Sequence, residues 1–168
     1  ETSVGKFPIQ VIESIVKIIN DVEKVDSLYH YEYPPEEDNL DRYITDSVCF
    51  NSCRLAQRTN AAAIVTMTFS GYTGFKIASF RPKAGIFVFT GNQEILNMLS
   101  LVWGVKAFYY DKFVSTDHTI ADIKYLLKKQ GYVNVNDVTI NIASMPITEK
   151  GQSNMMKFVN TSIEDADV

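Results

Sequence analysis

Ala61-Ala62-Ala63-Ile64-Val65-Thr66-Met67, followed at once by Thr68-Phe69-Ser70-Gly71-Tyr72-Thr73, is the stretch on which the reading of this chain turns. The first seven residues are uncharged and mostly small or β-branched, as a strand buried on both faces requires. The next six are dense in hydroxyls around one glycine, and from Tyr72 to Phe80 apolar residues return at helical spacing. A strand that ends in small polar residues and turns into a helix leaves unpaired backbone N–H groups at the helix N-terminus. Those donors, the helix dipole and the hydroxyls of Thr68, Ser70 and Thr73 converge on one point, which is the chemistry of a phosphate cradle. Ser, Thr and Gly also serve as ordinary helix caps and turn residues, so plain capping stands beside anion binding as a reading of the loop. Neither the G-x-x-x-x-G-K nor the G-x-G-x-x-G pattern of nucleotide-binding loops occurs.

Downstream, Gly85 to Thr90, Ala107 to Tyr110 and Val138 to Ala143 repeat the strand composition of Ala62 to Met67, with helical patterns over Gln93 to Val102 and Thr116 to Gln130 between them. Strands alternating with helices predict a parallel sheet covered on both faces. Thr116 is the expected N-cap of the last helix, with Asp117 well placed against its dipole, and Gly131 is its expected stop. A final strand, Met155 to Asn160, follows a connection too short to hold a helix, so it must run antiparallel to its predecessor. Upstream, Asp41 to Thr59 reads as a helix with Ile44, Val48, Cys49, Leu55 and Ala56 facing inward. Val25 to Asn39, with Pro34-Pro35 and a run of acids, reads as an irregular linker containing His30 as an ordinary loop residue. Ahead of it, Pro8 opens a helix whose Ile9, Ile12, Ile15, Val16, Ile19 and Val22 form an apolar face.

The chain has 168 residues, enough for one core, and a net charge of −4 with dispersed basic residues, which argues against a nucleic-acid surface. No apolar run is long enough to span a bilayer. Cys49 and Cys53, four apart on one helix, suit two buried thiols better than a disulfide, which points to a reducing, intracellular setting. His30 and His118 are far apart in sequence and join no Cys/His cluster, so a structural zinc site is not expected. The start at Glu1, without Met, predicts an excised piece of a longer chain.

Three motifs then carry a family resemblance. Glu1-Thr2-Ser3-Val4-Gly5-Lys6-Phe7-Pro8 resembles the E-T-A-x-G-x-[YF]-P segment that follows the last barrel strand of pyruvate kinases. Thr68 to Thr73, with Phe80-Arg81-Pro82 behind it, resembles their T-x-S-G-x-[ST] loop and Y-R-P. Gly151-Gln152-Ser153-Asn154 resembles the G-x-[ST]-N turn before their final strand. The resemblance implies an α/β three-layer sandwich, a five-stranded mixed sheet of order 3-2-1-4-5 with the last strand antiparallel and helices on both faces. It divides the chain into the last barrel helix (1–24), a linker (25–40), the C-terminal domain (41–161) and a disordered acidic tail (162–168).

By the same resemblance the chain is a regulatory and oligomerisation domain, without catalysis of its own, of a cytoplasmic, tetrameric glycolytic enzyme. That enzyme transfers phosphoryl from phosphoenolpyruvate to ADP with Mg²⁺ and K⁺; no cofactor is implied for the chain itself, and neither nucleic acid nor a membrane is a partner. A sugar phosphate or other anionic effector would be held by the hydroxyls of Thr68, Ser70 and Thr73 and the backbone N–H groups of Phe69, Gly71 and Tyr72, with Lys150 and Gly151 on the closing turn. Phe69 stands where members that hold a bisphosphate often have Lys, and Lys112 and Thr119 fall where animal-type members have Trp and Arg. Those departures favour a monophosphate over a bisphosphate. Trp103 reads as a core or interface anchor. A free-standing sugar-phosphate sensor is the alternative, with Glu1 to Pro8 against it. A small phosphatase using the loop as active site lacks an activating base there.

Overall fold

In a computed structural model of the chain, placements are described for residue 2 and residues 4–36, 40–112, 115–146 and 151–161. The tail from Ser162 to Val168 lies outside them. The elements are α1 (Pro8–Val22), a single 3-10 turn (Asp26–Leu28), α2 (Leu40–Thr59), β1 (Ala63–Met67), α3 (Tyr72–Ser79), β2 (Gly85–Thr90), α4 (Gln93–Leu99), β3 (Val105–Tyr109), α5 (Thr116–Lys129), β4 (Val138–Ala143) and β5 (Met155–Asn160). The five strands form one sheet of order β3-β2-β1-β4-β5. β1 pairs in parallel with β2 and β4, β2 pairs in parallel with β3, and β5 runs antiparallel to β4. This is the sheet the sequence and the resemblance imply.

Helices cover both faces because the central strands are apolar on both. Ile64, Ile86, Val88, Ile140 and Ile142 pack against Cys49, Cys53 and Ala56 of α2, Ile77 and Ala78 of α3 and Leu99 of α4. On the other face Ala63, Val65, Met67, Phe87 and Phe89 pack against Ile120, Ile123 and Leu127 of α5. Each fully buried aliphatic or aromatic side chain contributes roughly 1.5–3 kcal/mol. The thiols of Cys49 and Cys53 are free and buried, as their spacing suggests. Burial raises the pKa of both, that of Cys53 to about 12, so neither is a thiolate near neutral pH.

Several sequence expectations shift. Ile44 does not face inward but is 55% exposed. The buried stripe of α2 runs through Thr45, Cys49, Ser52, Cys53 and Ala56, and each residue turns a helix by about 100°, which carries Ile44 off that stripe. The N-cap of α5 is Ser115, whose extended backbone lets its hydroxyl accept the His118 N–H; Thr116 is already helical. α4 stops at Leu99 and not at Val102 because Ser100, Leu101 and Val102 N–H groups bond three residues back and tighten the chain into turns. β1 starts at Ala63, and β3 runs two residues earlier than expected at its start and one at its end. Gly131 does end α5, at a left-handed φ of 74°. α1 forms with its apolar face intact, yet none of its residues is buried.

Candidate functional site

The strand order reverses between β1 and β4. In an open α/β sheet, the crevice beyond the carboxyl ends of the strands at such a reversal is where ligands are bound. Here the loop after β1, Thr68 to Thr73, and the turn before β5, Gly151 to Asn154, both leave the sheet at that place. A buried hydrogen bond joins them: the hydroxyls of Thr73 and Ser153 lie 2.9 Å apart, with the residues 3% and 6% exposed. The backbone carbonyl of Ser153 also accepts from the Thr45 hydroxyl of α2, at 3.4 Å. Asn154 then holds the other side, its Oδ1 accepting from the Met145 N–H at 2.7 Å and its amide donating to the Met145 carbonyl at 3.0 Å. Gly151 lies against Ser144, whose hydroxyl would be 3.0 Å from any added Cβ. Lys150 lies outside the described residues.

Within the loop, Gly71 is the N-cap of α3 with a left-handed φ of 79°. A side chain there would be strained by that φ, and its Cβ would stand 2.7 Å from Cγ2 of Ile95. The Gly71 N–H donates to the Thr68 hydroxyl at 3.1 Å, and the Tyr72 N–H to the Ser70 hydroxyl at 3.4 Å. Two of the N–H groups expected to face an anion are therefore capped by the loop's own hydroxyls. The third hydroxyl, on Thr73, is turned inward to Ser153. Phe69 and Ser70 are exposed, and Gly71 is buried. Thr119 is buried inside α5, while Lys112 is exposed.

Sequence reasoning missed the charged cluster behind the loop. The Tyr72 hydroxyl donates to Asp46 at 2.7 Å, and Lys76, one turn further along α3, pairs with the same carboxylate at 2.8 Å. The Arg42 guanidinium stands 4.1 Å from the centre of the Tyr72 ring. Burial and the Asp46 carboxylate raise the pKa of Tyr72. For Lys76 burial pulls down, but the hydrogen bond and charge of Asp46 prevail and its pKa rises. The i, i+4 spacing of Tyr72 and Lys76 was the available signal; their partner on α2 was not.

The family described as "Pyruvate kinase, alpha/beta domain" matches residues 46–159, from α2 to β5. The chain belongs to this pyruvate kinase family. It is 29% identical over 157 residues to the pyruvate kinase of Clostridium acetobutylicum, covering 94% of this chain and 33% of that protein. To the pyruvate kinase of Geobacillus stearothermophilus it is 30% identical over 158 residues, covering 94% of this chain and 27% of that protein. The chain thus spans about a third or less of the curated relatives it matches. A crystal structure of a pyruvate kinase from Cryptosporidium parvum superposes with a TM-score of 0.79 at 22% identity, covering 96% of this chain and 32% of that one, which is a likeness of fold.

In this pyruvate kinase domain Gly71 is under two constraints, backbone and contact, whereas Gly131 has a φ of 74° with nothing near its absent Cβ. Replacing Gly131 by Ala should cost about 1–2 kcal/mol from the left-handed backbone alone. Gly71→Ala should cost more in urea unfolding. An equal or smaller loss would contradict the close approach of the loop to α4.

Proposed function

We propose that this chain is the regulatory and subunit-contact domain of a pyruvate kinase, and that the loop from Thr68 to Thr73 takes the phosphate of a monophosphorylated sugar or a comparable anion. The observation that carries this reading is the Thr73–Ser153 bond, which brings the hydroxyl-rich loop after β1 and the turn before β5 together across eighty positions at the reversal point of the sheet. In the loop as it stands, Thr68 and Ser70 accept from Gly71 and Tyr72 N–H. A phosphate oxygen is a stronger, charged acceptor for those two N–H groups. Once displaced, the hydroxyls rotate and donate to the same anion, so four donors close on one charge. Lys76 adds little because Asp46 already neutralises it, and Phe69 supplies no charge. One phosphate, held by neutral donors, is what such a site suits.

Among the described residues the loop has no nucleophile with a base at hand: the Asp46 carboxylate nearby is occupied by Lys76 and Tyr72. Nor do the described residues fit a catalytic Mg²⁺, since no group of three or more His, Cys, Asp or Glu side chains that could hold a metal occurs among them. Phosphoryl transfer between phosphoenolpyruvate and ADP would therefore fall to parts of a longer enzyme that this chain does not span. The domain's own role would be to bias that enzyme through subunit contacts, because a ligand shifts a conformational equilibrium only by its differential affinity for the two states.

For subunit contact the favoured surface is the outer edge of β5. Met155 and Val159 pack toward α5, and Lys157 pairs with Asp117 there. Alternation along the strand puts Met156 and Phe158 on the α2 side, where they are 40% and 49% exposed. An edge strand with exposed apolar side chains is a template for pairing with a second copy.

Two measurements follow from this reading. In calorimetry with glucose 6-phosphate, fructose 6-phosphate and inorganic phosphate, at least one ligand should bind, and Thr68→Ala with Ser70→Ala should weaken it roughly tenfold, at about 1–1.5 kcal/mol. Unchanged binding of every ligand would dismiss the cradle, and phosphate release from the sugars above blank would dismiss the non-catalytic reading. In sedimentation, the unmodified chain should self-associate and Phe158→Glu should shift it to monomer; a monomer at the highest soluble concentration would rule out the β5 contact.

A further inference from the structure

Trp103 is the sole tryptophan of the chain, and the segment that follows α1 is fastened around it. Its indole N–H donates to the Glu23 carboxylate at 3.0 Å. The Tyr29 ring lies tilted against it, with centroids 5.9 Å apart, and the Arg81 guanidinium stands 4.3 Å from the ring centre. Tyr29 in turn donates from its hydroxyl to the Glu23 carbonyl at 2.8 Å, folding the segment on itself. Lys83 pairs with Asp26 and lies 5.5 Å from the centre of the Tyr29 ring. Two backbone bonds complete the attachment, His30 N–H to the Arg81 carbonyl at 2.9 Å and Tyr31 N–H to the Phe80 carbonyl at 3.0 Å. His30 and Arg81 both take left-handed backbone angles at this crossing.

These attachments differ in kind from those of α2 to α5. No residue of α1 or of the turn Asp26–Leu28 is buried, so apolar burial, which fixes the other helices, holds neither. What remains is ion pairing, cation–π contact, the tilted Tyr29–Trp103 ring contact and part-buried hydrogen bonds from Trp103 and Tyr29 to Glu23, which are individually weak and, for the exposed charged members, screened by salt. Units held in that way open locally at lower free energy than the core around them. All of them converge on Trp103 and on the turn after α3, at the end of that helix opposite Gly71.

We propose that residues 23–31 form a strap that latches α1 to the α/β domain through Trp103, and that this strap releases as a unit while the domain stays folded. With the latch closed, the direction of α1 is set by the domain; with it open, α1 is free to reorient. The inference is independent of what binds the Thr68–Thr73 loop.

The chain carries a reporter for each part. Trp103 reads the strap by fluorescence, and the buried thiols of Cys49 and Cys53 read the domain by their reactivity toward a disulfide reagent. In a urea series the Trp103 emission should shift to the red at a lower concentration than that at which the thiols become reactive. Glu23→Ala and, separately, Lys83→Ala should move the fluorescence step to still lower urea and leave the thiol step in place, and added salt should act in the same direction. Coincident steps in the unmodified chain, or a fluorescence step that neither substitution moves, would overturn the latch.

Discussion

The buried hydrogen bond between Thr73 and Ser153 is the contact on which the rest of the site depends. It ties the first turn of α3 to the turn that feeds β5, and the same Ser153 is held by Thr45 from α2. Each hydroxyl is shut off from water, so losing one partner leaves the other unpaired at a cost of about 1–3 kcal/mol. That asymmetry fixes the relation of the two loops more firmly than any exposed contact could. It also divides the loop's hydroxyls: Thr73 is committed to the contact with Ser153, whereas Thr68 and Ser70 accept from N–H groups of the loop itself.

Gly71 supplies the second constraint. Its left-handed φ lets the chain leave β1 and enter α3 within a few residues, and the absence of a Cβ lets the loop sit against Ile95. The short path brings two backbone N–H groups to the same spot, where hydroxyls of the loop cap them. Under the proposed function, capping and anion binding would be successive states of one set of donors. The cluster of Asp46, Tyr72, Lys76 and Arg42 braces the start of α3 from behind without leaving an unneutralised lysine in the loop.

Much of this was legible in the sequence because period and punctuation act locally. Strand composition alternating with helical spacing specified the parallel sheet, and the short run between Ala143 and Met155 forced the last strand to turn back. Where the reading slipped, a single residue step decided the matter. Thr45 and not Ile44 lies on the buried stripe of α2, and Ser115 and not Thr116 adopts the extended backbone of a cap. The Thr73–Ser153 bond was not legible: each motif signals a turn, but nothing in either names the other as its partner. The same holds for Asp46 beneath Tyr72 and for Glu23 beneath Trp103, since contacts between distant segments leave no local period.

The most direct test of the site is a crystal structure of the chain grown with glucose 6-phosphate. The phosphate should lie within hydrogen-bond reach of the Gly71 and Tyr72 N–H groups, with the Thr68 and Ser70 hydroxyls rotated away from those groups toward its oxygens. A loop still capped by its own hydroxyls, with the sugar phosphate bound elsewhere on the chain, would contradict the cradle.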